Sequence, residues 1–268
     1  MASQTAAAAS SGLARNAAGA KVRTGYFFWV SVLLIVFVVV GFSPTLYLRE
    51  FFPALPIPGY LYVHGAVLTA WFVWLVLQTS LVRKGDTAAH RRMGTLGAVI
   101  GAGTVVVGPM ASVGVVGRLR AAGLDWDSDI SALPFLGVQG VPMAHFAAQV
   151  VWVNLVSIAV FAGLLIAALL LRRNPEAHKR LMLLGSIVIV APALARISRW
   201  PVIGGEDSGF IPAMLLLLVL SVAVHDLLTL RRLHRATWIG IAVIIVGTVA
   251  QQGIARSAFG IEFIKLLG

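Results

Sequence analysis

Two histidines of this chain are each followed by a tryptophan at the same distance, and an imidazole can bind a metal or move a proton near neutral pH. His64 precedes Trp71 by seven residues, and His145 precedes Trp152 by seven residues. The chain contains no cysteine, which excludes disulfides, iron–sulfur clusters and thiolate metal sites. Any metal or haem would therefore be held by histidine, methionine or carboxylate side chains.

A second pair of histidines recurs within a longer pattern. Residues 81–100 read LVRKGDTAAHRRMGTLGAVI, and residues 170–189 read LLRRNPEAHKRLMLLGSIVI. In both segments a histidine is followed by two basic residues and, seven positions later, by a glycine (His90 and Gly97, His178 and Gly185). A bias toward basic residues in the inner loops, acting on both segments, would not by itself produce these spacings. Together with the His–Trp pairs, they indicate two copies of one helical hairpin in the same orientation.

The segments that must position these histidines are long and apolar. Of the 268 residues, 59% are hydrophobic and 12% are charged, and the mean hydropathy is +0.92. A soluble domain could not shield so much apolar surface from water, so most of the chain is expected to lie in lipid. The sequence predicts an all-α polytopic membrane bundle of about seven spans, at residues 26–48, 59–82, 93–117, 143–171, 181–200, 210–230 and 237–258.

Glycine and proline positions predict details of this bundle. Residues 1–21 are rich in Ala, Ser and Gly and are expected to form a disordered cytoplasmic tail before a single transmembrane domain, residues 22–268. Pro109 and Pro192 fall inside spans three and five and predict kinks. Gly97 and Gly101 form a small-xxx-small pair, which favours close packing inside the bundle over contact with a second chain.

The charges predict the orientation of the spans. Fourteen of the twenty-one basic residues, Lys179 and Arg180 among them, lie in segments that share one side of the membrane. Seven of the ten acidic residues lie in the other segments. Short basic loops face the cytoplasm, so the N-terminus is expected inside and the C-terminus outside. The net charge of +11 is thus a topology signal, and no nucleic-acid partner is expected. The predicted location is a bacterial inner membrane.

The outer pair of histidines is predicted to face the interior of the bundle. His64 and Gln78 fall on one face of span two, and His145 and Gln149 fall on one face of span four. Polar groups on these faces would not be tolerated by lipid, so both faces should turn inward. Two imidazoles at matching depth, on helices of the same direction, could be the axial ligands of one haem iron.

His90 and His178 lie at the opposite, inner surface, beside basic residues, and two interpretations stay open for them. They could ligate a second haem near the inner face. Alternatively, they could cap the helix ends and bind lipid phosphates, as basic loops commonly do.

Three further groups of charged or polar residues are candidates for a role. Arg196 and Arg199 lie on one face of span five near the outer side, where they could bind haem propionates, a quinone or carboxylate ligand, or the acidic loop that follows span three. Simple loop salt bridges would explain them equally well. His225 and Asp226 suggest either a proton path or a hydrogen bond to a neighbouring helix, whereas His234 is expected to be only solvated.

The histidine pattern resembles that of the ascorbate-reducible transmembrane di-haem cytochromes. The segment HGAVLTAW, residues 64–71, is similar to the second-span motif of that family, and the resemblance covers roughly residues 59–200. It implies that His64 and His145 ligate an outer haem b, and that His90 and His178 ligate an inner one. The HR…G and AHKRLM segments are similar also to uncharacterised bacterial multi-span membrane proteins.

Two functions from different classes follow as hypotheses. In the first, the chain is a b-type haem protein that carries electrons between a quinol and a partner, which could be a subunit of a larger membrane complex. In the second, it holds no cofactor and acts as a transporter, small-molecule binder or assembly subunit, with its polar residues lining a cavity. A retinal protein is excluded because the last predicted span contains no lysine.

Overall fold

The computed structural model describes residues 25–52, 56–133, 136, 138–200, 202–203 and 209–267. All regular elements in these ranges are helices, which confirms the predicted fold class. Seven helical segments are long and apolar enough to cross a bilayer, and the chain is an integral membrane protein. The predicted cytoplasmic tail, residues 1–21, lies outside the described residues.

The helices follow the predicted spans closely. We number them α1 to α9 and list them here: α1 Gly25–Tyr47, whose last turn Ser43–Tyr47 is a π-helix, α2 Gly59–Lys84, α3 Thr87–Ala121, α4 Met143–Leu170, α5 Pro175–Val188, α6 Ala191–Ser198, α7 Phe210–Leu230, α8 Arg235–Arg256 and α9 Ala258–Lys265. Helices α5 and α6 together form span five. We call the end of the bundle that carries the basic loops the inner end.

Helices α3 and α5 begin six residues earlier than predicted, because each is capped by an Asx side chain. The Asp86 carboxylate accepts a hydrogen bond of 2.9 Å from the backbone N–H of Ala89, and the Asn174 side chain accepts one of 3.2 Å from Ala177. These caps satisfy N–H groups that a helix start leaves unpaired. The two repeat segments therefore start their helices in the same way, which is what a duplicated hairpin predicts.

The two prolines inside predicted spans differ in effect. Pro192 stands in the first turn of α6, after a break at residues 189–190 that separates α6 from α5. This break is the kink predicted in span five, since proline removes a backbone donor and clashes with the preceding turn. Pro109, in contrast, lies inside α3, which continues through it as one helix.

Small residues bring α3 against both of its neighbours. A Cβ atom added at Gly97 would lie 2.5 Å from the indole nitrogen of Trp74 on α2. One added at Gly101 would lie 2.8 Å from Leu165 on α4 and 2.9 Å from Trp71 on α2. The small-xxx-small pair therefore serves packing inside the bundle, as expected.

The closest approach of two backbones involves a glycine that the sequence pattern did not single out. A Cβ atom at Gly41 of α1 would lie 2.4 Å from the carbonyl oxygen of Ala193 on α6. Because the neighbour is backbone and not the tip of a flexible side chain, it cannot move aside cheaply. Gly41 therefore determines how closely α1 can pack against the outer half of span five.

We expect Gly41→Ala to destabilise the protein by about 1–3 kcal/mol, the usual cost of overpacking a closely packed site. The matched control is Gly163→Ala on α4, where an added Cβ atom meets nothing within 4 Å and alanine should be neutral or stabilising by about 0.5–1 kcal/mol. The measurement is thermal unfolding of both variants in detergent. Equal melting temperatures for the two variants would refute the close α1–α6 contact.

Candidate functional site

The histidines of the inner pair lie close together. His90 and His178 occupy equivalent positions, four residues after their N-caps, and their ring centres are 6.3 Å apart with the ring planes at 76°. Both side chains are partly buried. The two copies of the repeat thus bring their histidines together at one place near the inner end of the bundle.

The hydrogen bond of His178 determines which ring nitrogen remains available. Its Nδ1 atom lies 2.9 Å from the backbone carbonyl oxygen of Ala168 on α4. A carbonyl oxygen only accepts, so Nδ1 carries the proton and donates, and Nε2 keeps a lone pair. The ring of His90 lies beside the backbone carbonyl of Gln78, while its Nδ1 atom is buried without a hydrogen bond among the described residues.

The interpretation of this pair as helix caps is wrong, while binding of lipid phosphates stays a prediction. Asp86 and Asn174 already cap α3 and α5, and each histidine stands one residue beyond the alanine that binds the cap. The imidazoles are therefore not needed for the helix ends, and they lie next to each other instead.

A buried ion pair lies next to this site. The Arg180 side chain is 1% exposed and donates to the Asp226 carboxylate of α7 through Nε, at 2.8 Å, and through one terminal nitrogen. Its other terminal nitrogen donates to the Glu176 carboxylate at 2.6 Å. The sequence pattern places Arg180 among the charges of the cytoplasmic segments, whereas the structure places it inside α5 with its side chain buried. Its counterpart in the first repeat, Arg92, is exposed.

The second oxygen of Asp226 binds the start of α8. It accepts a hydrogen bond of 3.0 Å from the backbone N–H of His234 and another from the hydroxyl of Thr237. Asp226 is 0% exposed and has partners at both oxygens, so a buried charge is fully compensated. Of the two interpretations of the His225–Asp226 pair, the structure shows the hydrogen bonds to neighbouring helices for Asp226. The ring of His225 stacks on Tyr26 of α1 at 4.2 Å.

His234 has a structural role that the sequence interpretation missed. Its Nδ1 atom accepts a hydrogen bond of 3.1 Å from the backbone N–H of Ala236, so His234 is the N-cap of α8. Partial burial, together with the positive charge of Arg180, holds the pKa of His234 below its ordinary value. A neutral ring is the form that can accept this bond. The expectation that His234 is only solvated is therefore wrong.

The outer pair of histidines differs from the prediction in one member. His64 is partly buried, and its Nδ1 atom lies 3.0 Å from the carbonyl oxygen of Val107 on α3, so it too donates from Nδ1. His145, in the first turn of α4, is exposed and does not turn into the bundle as expected. That these two residues ligate a haem iron stays a prediction.

The polar residues that share a face with His145 serve helix packing. The side-chain amide of Gln149 donates to Gln252 of α8 at 3.2 Å, and the indole of Trp152 donates to the carbonyl oxygen of Gly260 on α9 at 3.0 Å. Interhelical hydrogen bonds of this kind hold membrane helices together. Gln149 and Trp152 therefore face other helices of the bundle, as predicted, and their polar groups bind α8 and α9.

Arg196 is bound to the outer end of α1. Its guanidinium stacks over the ring of Phe42 at 4.2 Å and donates to the hydroxyl of Thr45 at 3.3 Å. Arg199 is partly buried at the C-terminal end of α6. In the acidic loop, Asp129 accepts hydrogen bonds from the backbone N–H and the hydroxyl of Ser131, which hold the pKa of its carboxyl below the usual range. Binding of a propionate or quinone by Arg196 and Arg199 stays a prediction.

Comparisons with known proteins leave the site to be judged on its own geometry. No family model, no curated protein and no solved structure matches the chain. Within the part of the chain that the structure describes, no group of three or more His, Asp or Glu side chains could hold a metal ion. A site for a metal ion held by protein ligands alone is therefore not supported, whereas a cofactor that needs two protein ligands is compatible with the His90–His178 pair.

We expect Arg180→Met to destabilise the protein by roughly 3–5 kcal/mol, because the Asp226 charge would stay buried without its partner. The control is Arg92→Met, which changes the equivalent but exposed residue of the first repeat and should cost less than about 0.5 kcal/mol. The measurement is thermal or denaturant unfolding in detergent.

The double variant Arg180→Met/Asp226→Leu removes both charges and should recover much of the lost stability, since an apolar pair can replace a buried ion pair. If Arg180→Met unfolds at the same temperature as Arg92→Met, the ion pair does not hold this end of the bundle together.

Proposed function

We propose that the chain is a membrane-bound b-type haem protein that carries electrons, and that His90 and His178 are the two axial ligands of one haem near the inner end. The observation that carries this proposal is the approach of the two imidazoles to 6.3 Å between ring centres. The centres of two rings that share one iron are roughly 6 Å apart, since each metal–nitrogen bond is about 2 Å long and each nitrogen lies roughly 1 Å from its ring centre.

The hydrogen bonds of the pair fit such a role. A metal-binding histidine almost always donates its other ring N–H to a carbonyl or carboxylate, which orients the ring. His178 does this through Ala168, which leaves Nε2 to bind iron. The buried Nδ1 atom of His90 lacks a hydrogen bond among the residues that the structure describes, so this imidazole also has a nitrogen to offer.

The surroundings fit the remaining needs of a haem. Arg91 and Arg92 are exposed beside His90, where their guanidinium groups could pair with propionates. Four of the six iron ligands come from the porphyrin, so two protein ligands suffice. Once bound, a haem supplies one-electron transfer. His90 and His178 would hold the iron, and the hydrogen bond from His178 to Ala168 would orient its ring.

The outer haem and the redox partners are further parts of the proposal. His64 has the same Nδ1–carbonyl bond as His178, which supports it as a ligand on the outer side, with His145 as the second ligand. A quinol as electron donor, a membrane complex as partner and a bacterial inner membrane as location complete the proposed function. The inner pair supports the proposal better than the outer pair.

A cofactor-free small-molecule binder is the second candidate. An open cleft of about 460 Å³ at the outer end is lined by Pro56, Ile57, Pro58, Arg118, Ala121 and Ala122. One guanidinium in a mainly apolar cleft would suit a small amphipathic anion. This cleft is far from the inner histidines along α3, so it favours binding at the outer end only.

The proposed haem is tested by spectra of the purified full-length protein. We expect a red preparation with reduced-minus-oxidised haem bands, and loss of the inner haem in His90→Ala and in His178→Ala because each removes one iron ligand. His234→Asn is the control, since it keeps the α8 cap and touches no iron. The haem-to-chain ratio of His64→Ala reports the outer site separately.

Two results would contradict this function. One is a folded wild-type protein without haem after expression with haem supplied. The other is a haem content that stays unchanged in both His90→Ala and His178→Ala.

A further inference from the structure

Helix α2 carries buried polar atoms that a haem would not use. The indole Nε1 of Trp74 and both side-chain amide atoms of Gln78 are buried, and the described part of the chain offers them no hydrogen-bond partner. Buried polar groups in proteins are nearly always paired, and an exception calls for a bound group or another explanation. Neither side chain is a common iron ligand.

Comparable groups elsewhere in the bundle are paired. The indole of Trp71, one turn away on α2, donates to the hydroxyl of Ser186 at 3.2 Å. The amides of the outer half are paired as well, with Gln149 donating to Gln252 and Gln251 accepting from Ser157. The atoms of Trp74 and Gln78 therefore differ from the indole one turn away on the same helix and from the amides of the outer half.

The two residues form one polar stripe next to the inner histidines. Trp74 and Gln78 are four apart on α2, so they lie on one face. The indole packs over Gly97 of α3, and the ring of His90 lies beside the backbone of Gln78. At Gly94, between these positions on α3, an added Cβ atom would meet nothing within 4 Å. There is thus open space along α3 beside the stripe.

The depth of the stripe limits what can occupy it. Gln78 and Trp74 stand six and ten residues before Lys84, the last residue of α2, which places them roughly 9 and 15 Å into the membrane. A ligand that reaches this depth from the lipid must be uncharged and apolar over most of its surface. It must also offer acceptors to the indole N–H and the amide N–H groups, and a donor to the amide oxygen of Gln78.

We propose that Trp74 and Gln78 bind the carbonyl oxygens of a quinone ring that enters from the lipid. A quinone carries its two carbonyl acceptors on a ring that is soluble in hydrocarbon, and its reduced form, the quinol, also has hydroxyl donors for the amide oxygen of Gln78. The ester carbonyls of phospholipids stay near the headgroups. This inference assigns a binding site to the quinol that the proposed function names as electron donor, and it rests on that function only for the use of the ligand. Binding itself requires no haem.

The stability of the unliganded protein supplies a second readout. Replacing Gln78 by leucine removes unpaired buried polar atoms, which is neutral or stabilising when they have no partner. If the amide instead held the structure together, the same change would lower the melting temperature. A ligand site with unpaired polar atoms lowers the stability of the unliganded protein.

The test is titration of the full-length protein in detergent with a decyl-substituted benzoquinone, together with thermal unfolding without ligand. We expect saturable binding to wild type and about tenfold weaker binding in Gln78→Leu and in Trp74→Phe, the usual effect of one lost hydrogen bond in a buried site. Gln78→Leu should also melt at the same or a higher temperature. Gln149→Leu and Trp71→Phe are the matched controls and should bind as wild type does.

The inference is overturned if wild type does not bind the quinone, or if both variants bind it as tightly as wild type. A lower melting temperature of Gln78→Leu with unchanged binding would assign the stripe to ordered water or packing. The same titration of His178→Ala separates the two proposals. Quinone binding that persists in His178→Ala shows that the quinone site does not need the haem. Quinone binding by a wild type that holds no haem supports the quinone site and contradicts the electron carrier, while haem without quinone binding does the reverse.

Discussion

The guanidinium of Arg180 is buried between helices at the inner end of the bundle, and the contacts around it compensate its charge. Asp226 of α7 pairs with it and in turn binds the first residues of α8, so one ion pair connects three helices. Residues two apart on a helix point about 200° away from each other. With Arg180 bound toward α7 and α8, His178 is directed to the other side of α5, where it meets His90.

The two copies of the repeat share their local structure and differ in what surrounds them. Both begin with an Asx cap, and both place a histidine four residues later. The second copy forms the most buried of the seven spans. In an apolar stretch of 18 residues, 72% of the residues are buried in span five, against 33% in α3. For this reason the same arginine position is exposed in the first copy, as Arg92, and enclosed in the second, as Arg180.

The sequence predicted what depends on local pattern and missed what depends on tertiary neighbours. Hydropathy located all seven spans, and the repeat spacing correctly aligned His90 with His178. The caps at Asp86 and Asn174 were readable from residue type and position, and they would have excluded the histidines as helix caps. The burial of Arg180 could not be predicted, because a basic residue at the start of a helix gives the same sequence pattern in an exposed basic loop and in a buried ion pair. The exposure of His145 was missed because residues on one helical face can still differ in burial near the helix end.

The proposal that His90 and His178 would together hold one haem iron is tested most directly by electron paramagnetic resonance of the oxidised full-length protein. Two axial imidazoles make ferric haem six-coordinate and low-spin, whereas a single imidazole leaves it high-spin. We expect a low-spin ferric signal in wild type that is lost or becomes high-spin in His178→Ala. A folded wild-type protein with no ferric haem signal, or a low-spin signal of unchanged intensity in both His90→Ala and His178→Ala, would contradict this assignment.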